Sequence, residues 1–178
     1  MRMTTSDETL ATAARGGDRA AFSLLVERHY DRVFRLAFRM TGRSADAEDL
    51  AQDICLSLPQ RLGNWEGRGK FTTWLYRVVV NATHDARRKS ATRAKAAQGW
   101  GDAEVLNRAA AAENKAAADW LTAAMRVLPE DLRDTLALIL DDMTHREAAK
   151  VLGLSEGTIS WRIAEAKKAL RALKEADQ

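Results

Sequence analysis

Cysteine is nearly missing from this 178-residue chain: Cys55 is the only one, which excludes an intramolecular disulfide and any Cys-rich zinc site. Proline and glycine are also scarce, at 2 and 10 residues, while Ala, Leu, Arg, Glu and Asp dominate, a balance that favours helices. No stretch approaches the roughly 20 apolar residues of a membrane helix. The opening MRMTTSDETLATAARGGD lacks the apolar core of a signal peptide, so a cytoplasmic location is expected. His29, His84 and His145 are scattered without paired spacing, so no metal site is expected. There is no phosphate-binding glycine loop followed by Lys-Ser/Thr, no nucleophile elbow and no carboxylate pair with a partner base. The chain is therefore not expected to be an enzyme by itself, and no cofactor is expected.

What is present is charge in zones. Net charge is only +3, yet Trp65 to Lys95 holds eight basic residues against two acidic ones. From Asp119 to Asp142 six acids face two arginines, and from Ser155 to Lys174 the balance returns to five bases against two acids. Two basic zones around an acidic one suggest two contacts with a polyanion. Exposed helix faces are the plainer alternative for each zone taken singly.

Helical periodicity organises the rest. After Asp18, a candidate N-cap, Phe22, Leu25, Val26, Tyr30, Val33, Leu36, Ala37 and Met40 recur at helical spacing, and Gly42 can end the helix. Ser44 is expected to cap a second helix with a stripe of Leu50, Ile54, Leu58 and Leu62, which Pro59 should kink or end. GNWEGRGK reads as a loop, and a third helix is expected from near Phe71 through Lys89. The Ala-rich, polar segment 90–118, with Trp100 inside a Gly-Trp-Gly break, reads as a linker. Residues 1–17 read as a flexible N-terminus. Beyond the linker, Trp120 to Leu128 and Leu132 to Leu140 mark two helices, and Thr144 with Glu147 forms a capping box opening a third. Gly153 turns the chain and Ser155 caps the last helix. The expected fold is all-α: two small helical domains, 18–89 and 119–178, on a flexible linker.

REAAKVLGLSEGTISWRI has the spacing of a helix-turn-helix. Small Ala148 and Ala149 permit close crossing, Val151 and Leu154 fill the junction, and Ile159 and Ile163 pack the second helix. Such a motif turns Glu156, Gly157, Thr158, Ser160, Trp161, Arg162 and Glu165 toward a major groove. Ser155 and Thr158 can donate to phosphate, and Arg162, Lys167, Lys168 and Arg171 add positive charge. An ordinary helical hairpin is the competing reading.

The order DAEDLAQD, a Gly-rich loop, then KFTTWLYRVVVNATHDARRK resembles an extracytoplasmic-function (ECF) sigma factor, and LPEDLRDTLALILDDMTHREAAKVLGLSEGTIS resembles that family's C-terminal DNA-binding domain. The resemblance spans Ala21–Lys89 and Trp120–Leu173. It implies a sigma region 2 domain that binds core RNA polymerase and melts the −10 element, and a sigma region 4 domain that reads the −35 element. It places core-polymerase binding on Asp46, Glu48, Asp49, Gln52 and Asp53; compensation of the helix dipole is the alternative for these acids. It also implies control by an anti-sigma factor that releases the protein under stress.

The −10 assignment has its own warrant, since an unpaired strand is held by stacking surfaces beside cations. WEGRGKFTTWLYR interleaves Trp65, Phe71, Trp74 and Tyr76 with Arg68, Lys70 and Arg77. The glycine loop can wrap a flipped-out base. Asn81 can bond a base edge, and Arg87, Arg88 and Lys89 can hold phosphate. The alternative is that the aromatics are core, which is the expectation for Phe71 and Leu75. The family usually carries basic residues where this chain has Ser160 and Glu165, and a small one at Trp161. Two other classes therefore stay open: a stand-alone helix-turn-helix regulator, and a sigma-like adaptor that binds protein rather than DNA.

Overall fold

The computed structural model describes residues 5–96 and 113–176. Eight helices and no strand occur among them: α1 (Asp7–Arg15), α2 (Arg19–Thr41), α3 (Ser44–Leu62), α4 (Phe71–Ala96), α5 (Glu113–Val127), α6 (Glu130–Ile139), α7 (His145–Leu152) and α8 (Glu156–Ala176). None is long and apolar enough to cross a membrane. The central part of the expected linker, with Trp100, lies outside the described residues. Its flanks are helical, because α4 continues past Lys89 to Ala96 and α5 already begins at Glu113.

The first four helices form one bundle. Asp18 caps α2 through bonds from Ala20 N and Ala21 N to its carboxylate (2.9 and 3.0 Å), and Gly42 ends the helix in the left-handed region at φ 73°. Leu25, Leu36 and Met40 from α2 meet Ile54 and Leu62 from α3 and Phe71 and Val79 from α4, all essentially inaccessible to solvent. Such burial of large apolar side chains contributes about 1.5–3 kcal/mol each.

Three expectations differ here. Ser44 is the first residue of α3 rather than its cap; Arg43 holds the cap position, and its side chain makes no capping hydrogen bond there. Of the two effects expected of Pro59, ending the helix does not occur: α3 runs on to Leu62. Residues 7–15, expected in a flexible N-terminus, form α1, capped by Ser6 and anchored by buried Leu10 and Ala11.

The second bundle joins α5–α8 around Leu128, Leu136, Leu138, Val151, Ile159 and Ile163. Thr144 and Glu147 make the reciprocal capping box, and Gly153 turns the chain at φ 68°, where any side chain is strained. The two bundles pack together, α2 against α5 and α6 and α4 against α7.

Candidate nucleic-acid interface

The α3 helix presents a polar stripe outward because its apolar residues, Leu50, Ile54 and Leu58, are drawn into the core. Glu48, Asp49, Gln52 and Asp53 are exposed and Asp46 is half-buried beside Arg43 at 3.6 Å. Asp49, Gln52, Asp53 and Leu56 fall at helical spacing on one face. Leu56 is 79% exposed, and sequence reasoning missed it because its neighbours Cys55, Ser57 and Leu58 made the segment read as core. A protruding leucine among acids suits a protein surface with apolar and basic character.

The loop from Gly63 to Lys70 and the start of α4 form a second surface. Gly67 and Gly69 take φ values of 72° and 79°, so the chain can fold back sharply over α4. Arg68, Lys70, Arg77 and Asn81 are exposed and Trp74 is half-buried, its ring tilted against Phe71 at 5.7 Å between centroids. Trp65 borders this surface but is turned into the core rather than presented on it. It is 3% exposed and meets Phe71 edge-on at 5.9 Å, because a large ring is needed to plug the end of the bundle. Phe71 and Leu75 are core, as expected. Tyr76 is buried too, its hydroxyl donating to Asp141; burial, with that bond, pushes its pKa above the usual phenol range.

The cations here do not all face solvent. Arg87 is 17% exposed and grips Asp134 with two bonds of 2.8 and 2.9 Å, while also donating to the Met40 carbonyl (2.7 Å). In this arrangement the second bundle, through Asp134, supplies the anion for Arg87. Arg88 pairs with Asp85, and Lys89 is exposed.

The helix-turn-helix is α7 and α8. Thr158 N donates to Ser155 Oγ (3.0 Å), which caps α8. Ile159, Ile163 and Ala166 point inward, leaving Gly157, Ser160, Trp161, Lys167 and Lys168 exposed on the far side, with Glu165 half-buried. Trp161 is 59% exposed. Ser160 donates to the Glu156 carbonyl (3.0 Å) and pairs with His145 Nδ1 (2.9 Å). Arg162 is not on the outer face: it lies beside the buried stripe and turns to Asp131 at 3.5 Å, 20% exposed.

The two surfaces meet. Lys70 Nζ donates to Glu147 Oε1 at 2.6 Å, and Arg77 donates to the Lys150 carbonyl. The Lys70 bond and the Thr144 cap bonds hold the Glu147 carboxyl down at about 2. Between loop and α7 lies an open groove of about 760 Å³ that includes Trp74, Arg68, Lys70, Arg77, Arg146 and Lys150. Glu66 and Glu147 also line it, and an aromatic face with five cations against two carboxylates fits a single nucleic-acid strand better than an apolar ligand. His84 and Arg87 to Asp134, and Arg35, Arg39 and Tyr76 to Asp141, complete the contact between bundles.

Comparison with known proteins is consistent with this layout. Residues 25–93 match the family described as Sigma-70 region 2, and residues 118–170 match Sigma-70, region 4. The chain is 35% identical over 170 residues to the ECF RNA polymerase sigma factor SigM of Mycobacterium tuberculosis, spanning 94% of this chain and 84% of that one. It is 29% identical over 177 residues to the ECF RNA polymerase sigma-E factor of Escherichia coli K12, spanning 93% and 92%. The structure of CnrH in complex with the cytosolic domain of CnrY superposes with a TM-score of 0.73 at 26% identity, over 98% of this chain and 100% of that chain. The sigma factor RpoE of Bartonella quintana, solved with the anti-sigma factor NepR, shares the fold at a TM-score of 0.75 and 22% identity, over 88% and 98%. With both regions present in order and the similarity to SigM running along nearly its whole length, the chain belongs to the ECF RNA polymerase sigma factors.

Proposed function

We propose that this sigma factor docks on core RNA polymerase through the α3 stripe of Asp46, Glu48, Asp49, Gln52 and Asp53, extended by Leu56. The glycine loop and α4 then hold the unpaired −10 strand, with Trp74 as the stacking platform and Arg68, Lys70, Arg77 and Asn81 around it. Arg87, Arg88 and Lys89 take backbone phosphate once Asp134 has withdrawn. The outer face of α8 reads the −35 element through Ser160 and Trp161. Ser155 and Thr158 at its N-terminus, with Lys167 and Lys168, position it on phosphate. Trp161 contacts a thymine methyl, and Glu165 accepts from cytosine.

The observation that carries this reading is the groove between loop and α7, where five cations and two carboxylates, Glu66 and Glu147, lie around Trp74. Glu147 occupies Lys70 there, so an incoming strand and the second bundle compete for the same charge. Promoter engagement accordingly requires the bundles to part. A sigma factor of this fold has been solved with an anti-sigma factor, and control by such an inhibitor is proposed here too. Nucleotidyl transfer belongs to the polymerase. A stand-alone regulator is disfavoured, since it would have no use for the α3 stripe or the loop.

In vitro transcription tests the reading. Purified protein, core polymerase and fragmented host genomic DNA are combined, and RNA starts are mapped with and without the protein. Discrete new starts sharing two upstream elements are expected. Duplex binding without core binding or new starts would instead establish a stand-alone regulator.

A further inference from the structure

The α1 helix supports the loop surface from behind, gripping both stems of the glycine loop through their backbone. At one end Glu8 Oε1 accepts from the Phe71 amide at 3.0 Å; Phe71 is the first residue of α4, so a carboxylate from elsewhere in the chain meets an amide that otherwise lacks a helical partner. At the other end Arg15 Nη1 donates to the Trp65 carbonyl at 2.8 Å. The seven-residue separation of Glu8 and Arg15 corresponds to about 10 Å along a helix, a fixed distance between the two points where the loop leaves and rejoins the bundle.

The strut is itself immobilised. Asp7 bonds Arg28 (2.9 Å) and His29 (2.8 Å) on α2, and Leu10 and Ala11 are buried in the core. Between the gripped stems, residues 66–70 are exposed and contain the two positive-φ glycines. The loop therefore has clamped ends and a compliant tip. The Phe71 amide holds the Glu8 carboxyl below its usual range, so this clamp is charged throughout the neutral pH region.

We propose that α1 is a positioning element for −10 strand capture: Glu8 and Arg15 fix the loop stems so that Arg68, Lys70 and Trp74 converge on an unpaired base. The proposal rests on the reading of the loop as the strand-holding element. Pre-setting the stems removes ordering entropy that strand binding would otherwise have to overcome. Neither residue contacts the strand; both act through the backbone they hold.

The test uses the full-length protein in holoenzyme on a promoter identified by the transcription mapping, with 2-aminopurine placed in the −10 strand. Glu8→Ala, Arg15→Ala and Arg15→Lys are compared with the wild type for core binding, thermal midpoint and the rate of fluorescence rise on opening. Arg15 is exposed, so its truncation leaves the core intact. Each alanine variant is expected to slow opening about tenfold, the loss of one charge-assisted bond, with core affinity unchanged, and Arg15→Lys to recover most of the rate. Unchanged opening in folded Arg15→Ala would overturn the proposal. So would a parallel loss of core binding and opening, which marks a purely structural role. Wild-type holoenzyme that starts transcripts without a fluorescence rise would refute the loop reading itself, a result distinguishable from failure of the clamp.

Discussion

His29 is 6% exposed, inside a bundle that otherwise buries apolar groups. Its Nε2 donates to Asp7 at 2.8 Å, while Nδ1 is buried without a partner. A second proton on Nδ1 would place an unpaired N–H in the core, so the ring is held neutral. Burial lowers its pKa below 6.5, Arg32 and Arg28 act in the same direction, and Asp7 opposes them only in part. Because the folded value lies below the unfolded one, its contribution is fully present above about pH 6.5 and is lost as pH falls through the folded value. The urea midpoint of the first bundle should drop between pH 7.5 and 5, and the drop should shrink in His29→Gln. On α8, neighbours have opposite fates. Trp161→Ala should weaken −35 duplex binding about tenfold, the scale of one lost base contact, with an unchanged thermal midpoint. Arg162→Ala, removing the Asp131 pair, should lower the midpoint and leave base preference intact; filter binding and calorimetry separate the two.

At the level of elements, α3 tolerates a proline at position 59 that removes one amide donor from its last turns. Pro59→Ala should raise stability by about 1–3 kcal/mol, read from urea unfolding, without disturbing the stripe upstream. The helices that a sequence reading places well, α2, α7 and α8, carry their boundaries as chemistry: Asp18, Gly42, the Thr144–Glu147 box, Gly153 and Ser155. α1 was not legible, since only Leu10 and Ala11 are buried in nine otherwise polar or half-covered residues. Trp65 misleads in the other direction: glycines on either side argue for a solvent-facing loop, while the bundle's open end takes up its indole. Arg162 sits one position before Ile163, close enough to the apolar stripe to be drawn toward α6, a detail that charge alone does not reveal. The pairings across the two bundles leave no local trace, the ion pairs among them joining residues 43 to 106 positions apart.

For the whole molecule, Asp134 and Asp141 decide how firmly the bundles adhere. Each side chain is 5% exposed and faces at least two partners of the first bundle. Replacing both by asparagine keeps their volume and removes their charge, so the bundles should separate: the radius of gyration from small-angle scattering should increase. Affinity for a −10 oligonucleotide should rise on the order of tenfold, because a larger fraction of molecules is competent to bind. An unchanged radius would show that apolar packing, not these carboxylates, holds the bundles. The Lys70–Glu147 bond adds a predictable pH window. Glu147 is depressed to about 2 and Lys70 is raised from 10.5, so the bond is at full strength from about pH 5 to 10 and fades only beyond those limits.

On the proposed reading, in which that one lysine is shared between Glu147 and a strand phosphate, the two promoter elements also become thermodynamically aware of each other. If a −10 strand at Lys70 favours separated bundles, it frees α8 to lie in a major groove. The reverse must hold by the same factor, because binding linkage is reciprocal. Duplex and single strand, touching different helices, then cooperate with no contact between them, each strengthening the other by abolishing a state in which neither fits. The size of that cooperativity is set by the free energy of closure, so substitutions far from any base, at Asp134 or Asp141, would tune how sharply a promoter with both elements is distinguished from one with a single match.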